Sequence, residues 1–134
     1  MKRIILLSTS IALASCASFI NTHRMHAAQT KLQAARKLQQ GGQWDAALEM
    51  AERMHSSVAK SIETAPTHKG PGGILVDIRP LLTGWETGPF ASLKSALQKH
   101  DSHSATSAFA SLRQQCMNCH AVIGKADIKL QEIP

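Results

Sequence analysis

Two cysteines and a histidine near the C-terminal end have a spacing that suits covalent attachment of a porphyrin. The segment reads Cys116-Met117-Asn118-Cys119-His120, and C-x-x-C-H is the attachment signature of c-type haem. On a helix, positions i, i+3 and i+4 share one face. Both thiols can then form thioethers with the haem vinyl groups while the imidazole reaches the iron from the same side. The spacing predicts one haem c, held by Cys116 and Cys119, with His120 as the proximal iron ligand.

Three other interpretations of the motif fit its surroundings less well. A zinc site needs a second pair of Cys or His ligands, and no second C-x-x-C or H-x-x-x-H follows. A thioredoxin-like redox motif needs a neighbouring βαβ pattern, whereas the flanks here have helical patterns. A local disulfide would leave His120 without a role.

The N-terminal residues have the composition of an export signal. Two basic residues precede an apolar run over residues 4–13, which is too short to span a bilayer as a permanent helix. Leu13-Ala14-Ser15-Cys16 then resembles a bacterial lipobox, in which the cysteine is lipidated and becomes the mature N-terminus. We therefore expect a signal peptide over residues 1–15 and a periplasmic protein that is lipid-anchored to a membrane through Cys16. Cleavage after His26-Ala27-Ala28 is the alternative, and it also implies export.

Length, composition and charge narrow the class of protein. The chain has 134 residues, enough for one domain, and 43% of them are apolar, as in globular proteins. The net charge is +6, but no basic run or aromatic-spaced basic patch is present, so a nucleic-acid partner is not expected. The surplus charge favours an acidic redox partner or anionic lipid headgroups. No pattern of a catalytic dyad or nucleophile is visible, so we do not expect an enzyme.

Apolar periodicity predicts four helical segments. After a short tether that follows Cys16, the first helix carries Met25 on its apolar stripe and stops at Gly41-Gly42. The second helix begins at Trp44 and ends before Pro66. Because so few residues join these two helices, they should lie antiparallel.

The second half of the chain is less regular. Residues 65–79 are predicted as a connector, in which the apolar run 74–78 forms an extended crossover without a strand partner. The third helical region is expected to be interrupted at Gly88-Pro89. The fourth helix is capped by Asp101 or Ser102, carries the cysteine motif and stops at Gly124. The tail that follows is expected to pack loosely.

These elements predict an all-α fold, an antiparallel four-helix bundle over residues 16–134 with the haem near its C-terminal helix. An exported chain of this size with C-x-x-C-H on its last helix resembles the cytochrome c′ group, the class II c-type cytochromes. The chain is similar to bacterial monohaem relatives of that group at a spaced set of positions: Trp85, Pro89, Leu93, Ala96, Leu97, Asp101, Cys116, Cys119, His120, Gly124, Ile133 and Pro134.

The resemblance implies a monohaem cytochrome that transfers single electrons to and from redox partner proteins in the periplasm, with a homodimer as a candidate assembly. In this class the sixth iron position either binds a Met of the first helix or stays open under an apolar residue. Met25 is the candidate distal ligand, and its neighbour His26 points about 100° away around the helix. The alternative is that Met25 only fills space in the core.

An open sixth position would give a different function, the binding or sensing of small gases such as NO or CO. Cytochrome c′ proper carries an aromatic and then a basic residue shortly after the haem histidine, and this chain departs from that pattern. The corresponding positions are Ile123 and Gly124, with Lys125 one place later. The departure weakens the gas-binding interpretation. A third expectation is a subunit of a larger oxidoreductase.

Overall fold

The computed structural model describes the backbone of residues 9–133 and the side chains of residues 18–133. Helices dominate this part of the chain, in agreement with the predicted all-α class, and a two-stranded sheet is added to them. The elements are α1 (Thr9–Gln40), α2 (Trp44–Thr64), β1 (Thr67–Lys69), β2 (Leu75–Asp77), α3 (Arg79–Trp85), α4 (Ala91–Gln98) and α5 (Ser102–Val122).

Two predictions about the chain ends fall partly or wholly outside the described residues. Residues 1–8 and Pro134 are not described, and neither are the side chains of residues 9–17. The predicted signal peptide and the lipidation of Cys16 therefore stay predictions. The predicted tether after Cys16 is wrong, because α1 is already helical there and runs without a break to Gln40.

α1 and α2 form the antiparallel pair that the sequence predicts. Gly42, with φ 73°, lets the chain reverse after α1. Its N–H donates to Gln39 O at 3.0 Å and that of Gln43 donates to Leu38 O at 2.9 Å, which is the Schellman pattern of a helix end. Along the pair, the Lys31 ammonium donates to Ser57 Oγ at 2.7 Å.

The connector contains a β-hairpin where an extended crossover without a strand partner was predicted. β1 and β2 pair antiparallel, with Lys69 opposite Leu75 and His68 opposite Val76. A 3₁₀ turn over Pro71–Gly73 joins them, and Gly72 and Gly73 have φ of 75° and 79°. The sequence did not predict the hairpin because β1, the partner of the apolar strand, is polar and only three residues long. Such a strand lacks the alternation of apolar residues by which a strand is recognised.

The third helical region continues as a deformed helix at the point where the sequence predicts an interruption. A π-helical turn over Glu86–Phe90 joins α3 to α4. This turn contains Pro89, which has no backbone N–H to donate. The wider π-helical turn does not require the regular helical hydrogen bond that this N–H would otherwise form. Trp85 and Phe90 at its two ends are both buried. The deformation therefore keeps both aromatic rings in the core.

The core lies where α1, α2, α4 and α5 pack together. Four alanines in it are fully buried and have no room for larger side chains, which lets the helices approach closely: Ala35, Ala47, Ala51 and Ala105. The largest fully buried side chains fill the space between them: Phe109, Met54, Leu93, Leu97 and Leu112. No helix in the described part of the chain is long and apolar enough to span a bilayer.

Asp101 caps α5, as the sequence predicts. Its carboxylate accepts a hydrogen bond from the Ser104 backbone N–H at 3.0 Å and one from Ser104 Oγ at 2.6 Å. These bonds to Ser104 lower the pKa of Asp101. A carboxylate with a depressed pKa contributes stability above its unfolded-state pKa, and this contribution is lost as the pH falls through the folded-state pKa.

We expect Asp101→Ala to lower the melting temperature at pH 7, because α5 loses its cap. The difference from the unmutated protein should shrink as the pH falls below 3.8, the ordinary pKa of an aspartate. Thermal unfolding followed by circular dichroism at several pH values checks this. Asp101→Asn is the matched control, since it keeps an acceptor oxygen but does not titrate. A loss of equal size at pH 7 and at pH 2 would contradict the prediction.

Candidate functional site

A cavity of about 500 Å³ lies between α1, α2, α3 and α5. Its volume falls in the range of roughly 300–1,000 Å³ that ligand pockets occupy. α5 contributes Cys116, Cys119 and His120 to the wall, and α1 contributes Met25. The structure therefore places all three predicted attachment residues and the candidate distal ligand around one cavity.

The local structure of α5 explains why the three motif side chains act together. Residues 116–120 lie in the last two turns of this regular helix, so the two cysteines and the histidine project from one face. The helix ends in a Schellman pattern, in which Lys125 N donates to His120 O at 2.8 Å and Gly124 N donates to Ala121 O at 3.1 Å. Gly124 has φ 72°, so the predicted stop is confirmed.

Both thiols of the motif are free, and both cysteines are partly buried. Burial, with a smaller contribution from Cys119, raises the pKa of Cys116 to about 12. Burial also raises the pKa of Cys119. Both shifts favour the protonated thiols, and the thiolate is the form that attacks in disulfide exchange. The structure thus gives no support to a local disulfide.

The surroundings of His120 favour its neutral imidazole form. Burial, and then the nearby charge of Lys125, lower the pKa of this side chain. A neutral ring keeps a nitrogen lone pair free for a metal. Its Nδ1 atom is buried and has no hydrogen-bond partner in the described part of the chain. The shift in the pKa of His120 therefore favours the form that a metal ligand requires.

Buried polar atoms without a partner are concentrated on this cavity. In the part of the chain whose side chains are described there are four, namely Gln29 Nε2, Ser61 Oγ, Trp85 Nε1 and His120 Nδ1. All four residues line the cavity. Native proteins leave few buried polar groups unsatisfied. The four residues come from four different helices, α1, α2, α3 and α5, and their polar atoms are available to a molecule bound in the cavity.

The α1 wall carries more than the candidate ligand. Met25 is half-buried, and Ala28 and Leu32, one and two turns further on, are buried apolar residues on the same wall. His26 also lines the cavity, although its side chain is exposed. The structure is compatible with either interpretation of Met25, as an iron ligand or as a core residue.

The C-terminal segment forms part of the wall, although the sequence predicted that it packs loosely. Arg113 Nη2 on α5 donates to Leu130 O at 2.9 Å and to Glu132 Oε1 at 3.0 Å. Gln33 on α1 donates to Gln131 Oε1 at 2.8 Å. Ile133 packs against the core. These contacts close one side of the cavity with backbone and apolar groups.

An aromatic stack lies beside the cavity. The rings of His55, Trp85 and Phe90 lie within 10° of parallel, and their centroids are 4.7–5.7 Å apart. His55 Nε2 is 2.6 Å from Glu86 Oε1, and this contact fixes the histidine ring in the stack. Trp85 thus lines the cavity and also stacks on the other two rings.

Sequence reasoning missed several residues of this wall. His68 lies in the segment 65–79 that the sequence predicts only as a connector, yet it is half-buried, lines the cavity and bonds to Ala65 O at 2.9 Å. Gln29 and Ser61 had no motif to mark them. Only their positions on the inner faces of α1 and α2 could have indicated a role, and core glutamines and serines share such positions.

Comparison with protein-family models, with curated proteins and with solved structures finds no match for this chain. Within the residues that the structure describes, no group of three or more His, Cys, Asp or Glu side chains is arranged to hold a metal ion by itself.

We expect Arg113→Ala to loosen the C-terminal segment without unfolding the helices. The side chain is mostly buried and bonds to two backbone oxygens of the segment, and bonds to a charged group contribute roughly 1.5–3 kcal/mol. Amide hydrogen exchange of residues 128–133 should become about ten times faster or more. Arg53→Ala, which breaks an exposed pair with Glu49, should change nothing there. Unchanged protection in the Arg113 variant would contradict the role assigned to it.

Proposed function

We propose that the protein is a monohaem c-type cytochrome of the cytochrome c′ kind that transfers single electrons in the periplasm. The observation that carries this proposal is the shared cavity, in which a C-x-x-C-H motif, a methionine and all four unpartnered buried polar atoms of the described part meet. The sequence supports export and a lipid anchor at Cys16, and we include both in the proposal. Redox partner proteins supply and accept the electrons.

The residues on the cavity wall fit a haem by their chemistry. Cys116 and Cys119 would hold the macrocycle through thioethers, and the neutral His120 imidazole would bind the iron. A porphyrin also carries two carboxylates, which are acceptors for the donors that lack partners. When bound, the haem supplies an iron that alternates between ferric and ferrous states.

The residues of the chain then control that iron in three ways. The apolar wall formed by Leu32, Met54 and Ile62 excludes water and so disfavours the more highly charged state of the iron. The Lys125 charge beside His120 acts in the same direction. The C-terminal segment, held by Arg113, limits access to one side. Each of these effects raises the reduction potential, which suits a carrier that accepts electrons readily.

The packing of the helices supports a four-helix bundle as the arrangement of the all-α fold. α1 packs on α2, α2 on α4, and α4 on α5, and the α3–α4 run counts as one deformed helix. A four-helix bundle with the haem near its last helix is the arrangement we propose.

Gas binding is the second candidate function. It is favoured by one observation, the buried apolar pair Ala28 and Leu32 on the same α1 wall as Met25. Those side chains would form the apolar lid that an open sixth position needs.

Expression of the whole precursor in a bacterium that matures c-type cytochromes tests the haem proposal. We expect a red protein whose mass exceeds that of the polypeptide by one haem, and whose colour survives denaturation. The same mass spectrum reports acyl groups on Cys16. Replacement of Cys116 and Cys119 by Ala should abolish the covalent haem completely.

Asn118→Ala is the matched control, because Asn118 is exposed between the two cysteines and its side chain bonds only to Gln114 and Gln115. That variant should keep its haem. An exported protein that is colourless, with the mass of polypeptide and lipid alone, would refute the proposed function.

The absorption spectrum of Met25→Ala separates the two candidate functions. If Met25 binds the iron, the unmutated protein has a low-spin spectrum with a Met–iron charge-transfer band, the variant loses that band, and its potential falls. Met50→Ala, which removes a methionine that does not line the cavity, should keep it. A high-spin five-coordinate spectrum in the unmutated protein, shifted by added NO, would instead favour gas binding.

A further inference from the structure

The β-hairpin borders the cavity through its first strand, β1. His68 and Val76 face inward, and His68 lines the cavity. Lys69 and Leu75, paired across the strands, are exposed on the outer face. The hairpin is pressed onto the end of α5, since a Cβ at Gly70 would lie only 2.9 Å from Val122 O. The hairpin is thus fixed against both the cavity and the end of α5.

Exposed apolar side chains are concentrated around this hairpin. Ile74 is 70% exposed and Leu75 is 66% exposed. Val122, at the end of α5, and Ile128, in the segment after it, are 38% and 42% exposed. Among the described side chains, the other large apolar residues that are exposed lie on α1. An exposed apolar cluster that covers a functional cavity is typical of an interaction site.

Basic groups surround the apolar cluster. Lys69 lies on the hairpin, and Lys125 and Lys129 lie in the segment after α5; none of the three has an ion pair among the described residues. The Asp77 carboxylate is neutralised by Arg79, whose Nη2 is 2.6 Å from Asp77 Oδ2. Among the described carboxylates of the hairpin and of the segment 122–130, Asp127 is then the one without an ion pair. The surface is therefore positive around an apolar centre.

We propose that this surface docks the protein that exchanges electrons with the cavity, and that the partner presents an apolar centre with an acidic rim. We call it the hairpin surface, and its members are Lys69, Ile74, Leu75, Val122, Lys125, Ile128 and Lys129. The proposal rests on the proposed function. The occupant is a protein and not a lipid surface, because the hairpin borders the cavity that is the proposed redox site. A bilayer neither supplies nor accepts electrons.

Opposite charges across an interface steer association, so charge reversal on this surface should change electron-exchange rates. Stopped-flow oxidation of the reduced holoprotein at low ionic strength measures this, with anionic tris(oxalato)cobaltate(III) and cationic tris(phenanthroline)cobalt(III) as probes. Lys69→Glu with Lys129→Glu, two exposed lysines of this surface that do not line the cavity, should slow the anionic probe by about tenfold or more and speed the cationic one. Lys37→Glu is the control, because Lys37 is an exposed lysine near the α1–α2 turn, away from the cavity. It should leave both rates nearly unchanged.

A copolymer of glutamate and leucine serves as a model of the acidic, apolar partner. Calorimetry should show that it binds the full chain more tightly than polyglutamate does. Ile74→Ser with Leu75→Ser should remove that difference, and the double Lys→Glu variant should remove most of the binding. Because calorimetry needs no haem, a colourless protein that still binds the copolymer would refute the proposed function and leave the docking surface intact.

Three results would overturn the docking proposal. The first is that the hairpin variants match the unmutated protein in both rates and copolymer binding. The second is binding, lost in these variants, to phosphatidylglycerol vesicles but not to the copolymer, which would make the occupant a membrane. The third is a dimer in solution that the Ile74→Ser, Leu75→Ser variant dissociates, which would make this face a contact between two copies of the chain.

Discussion

The need to satisfy buried polar atoms constrains this structure more than any single packing contact. Leaving a buried donor without an acceptor costs roughly 1–3 kcal/mol, and four such groups among the described side chains line the same cavity. Their combined cost is a large fraction of the roughly 5–15 kcal/mol that typically stabilises a domain. A fold that collects these groups in one place therefore gains stability from whatever molecule supplies the acceptors.

The two ends of the helix pair α1–α2 have different compositions, and this difference creates the cavity. Near the turn, Ala35, Ala47 and Ala51 are fully buried and hold the helices close. Toward the other end, Met25 and Ile62 are larger side chains that border the cavity. The aromatic stack of Trp85, Phe90 and His55 lies at the boundary and supports the wall from behind. The same helices thus form a dense core at one end and a binding cavity at the other.

Those features of the fold that depend on local rules could be predicted from the sequence. The Asp101 cap, the reversal at Gly42 and the stop at Gly124 each follow from the conformational preferences of one residue, and each is confirmed. The placement of the cysteine motif on one helix face follows from spacing alone. The hairpin, the π-helical turn and the held C-terminal segment were missed because each depends on contacts between residues far apart in the chain. No local pattern records such contacts.

The departure from the cytochrome c′ pattern after His120 has a physical explanation in the hairpin. Gly124 stands where that group carries a basic residue, and it adopts φ 72°, which favours glycine. A Cβ there would lie 3.7 Å from Lys69 O, which is ordinary van der Waals contact, so the backbone conformation is what favours glycine. Lys125, the next residue, lines the cavity and lowers the pKa of His120. Gly124 thus ends α5 at the base of the hairpin, and the end of this helix supports an exposed apolar surface.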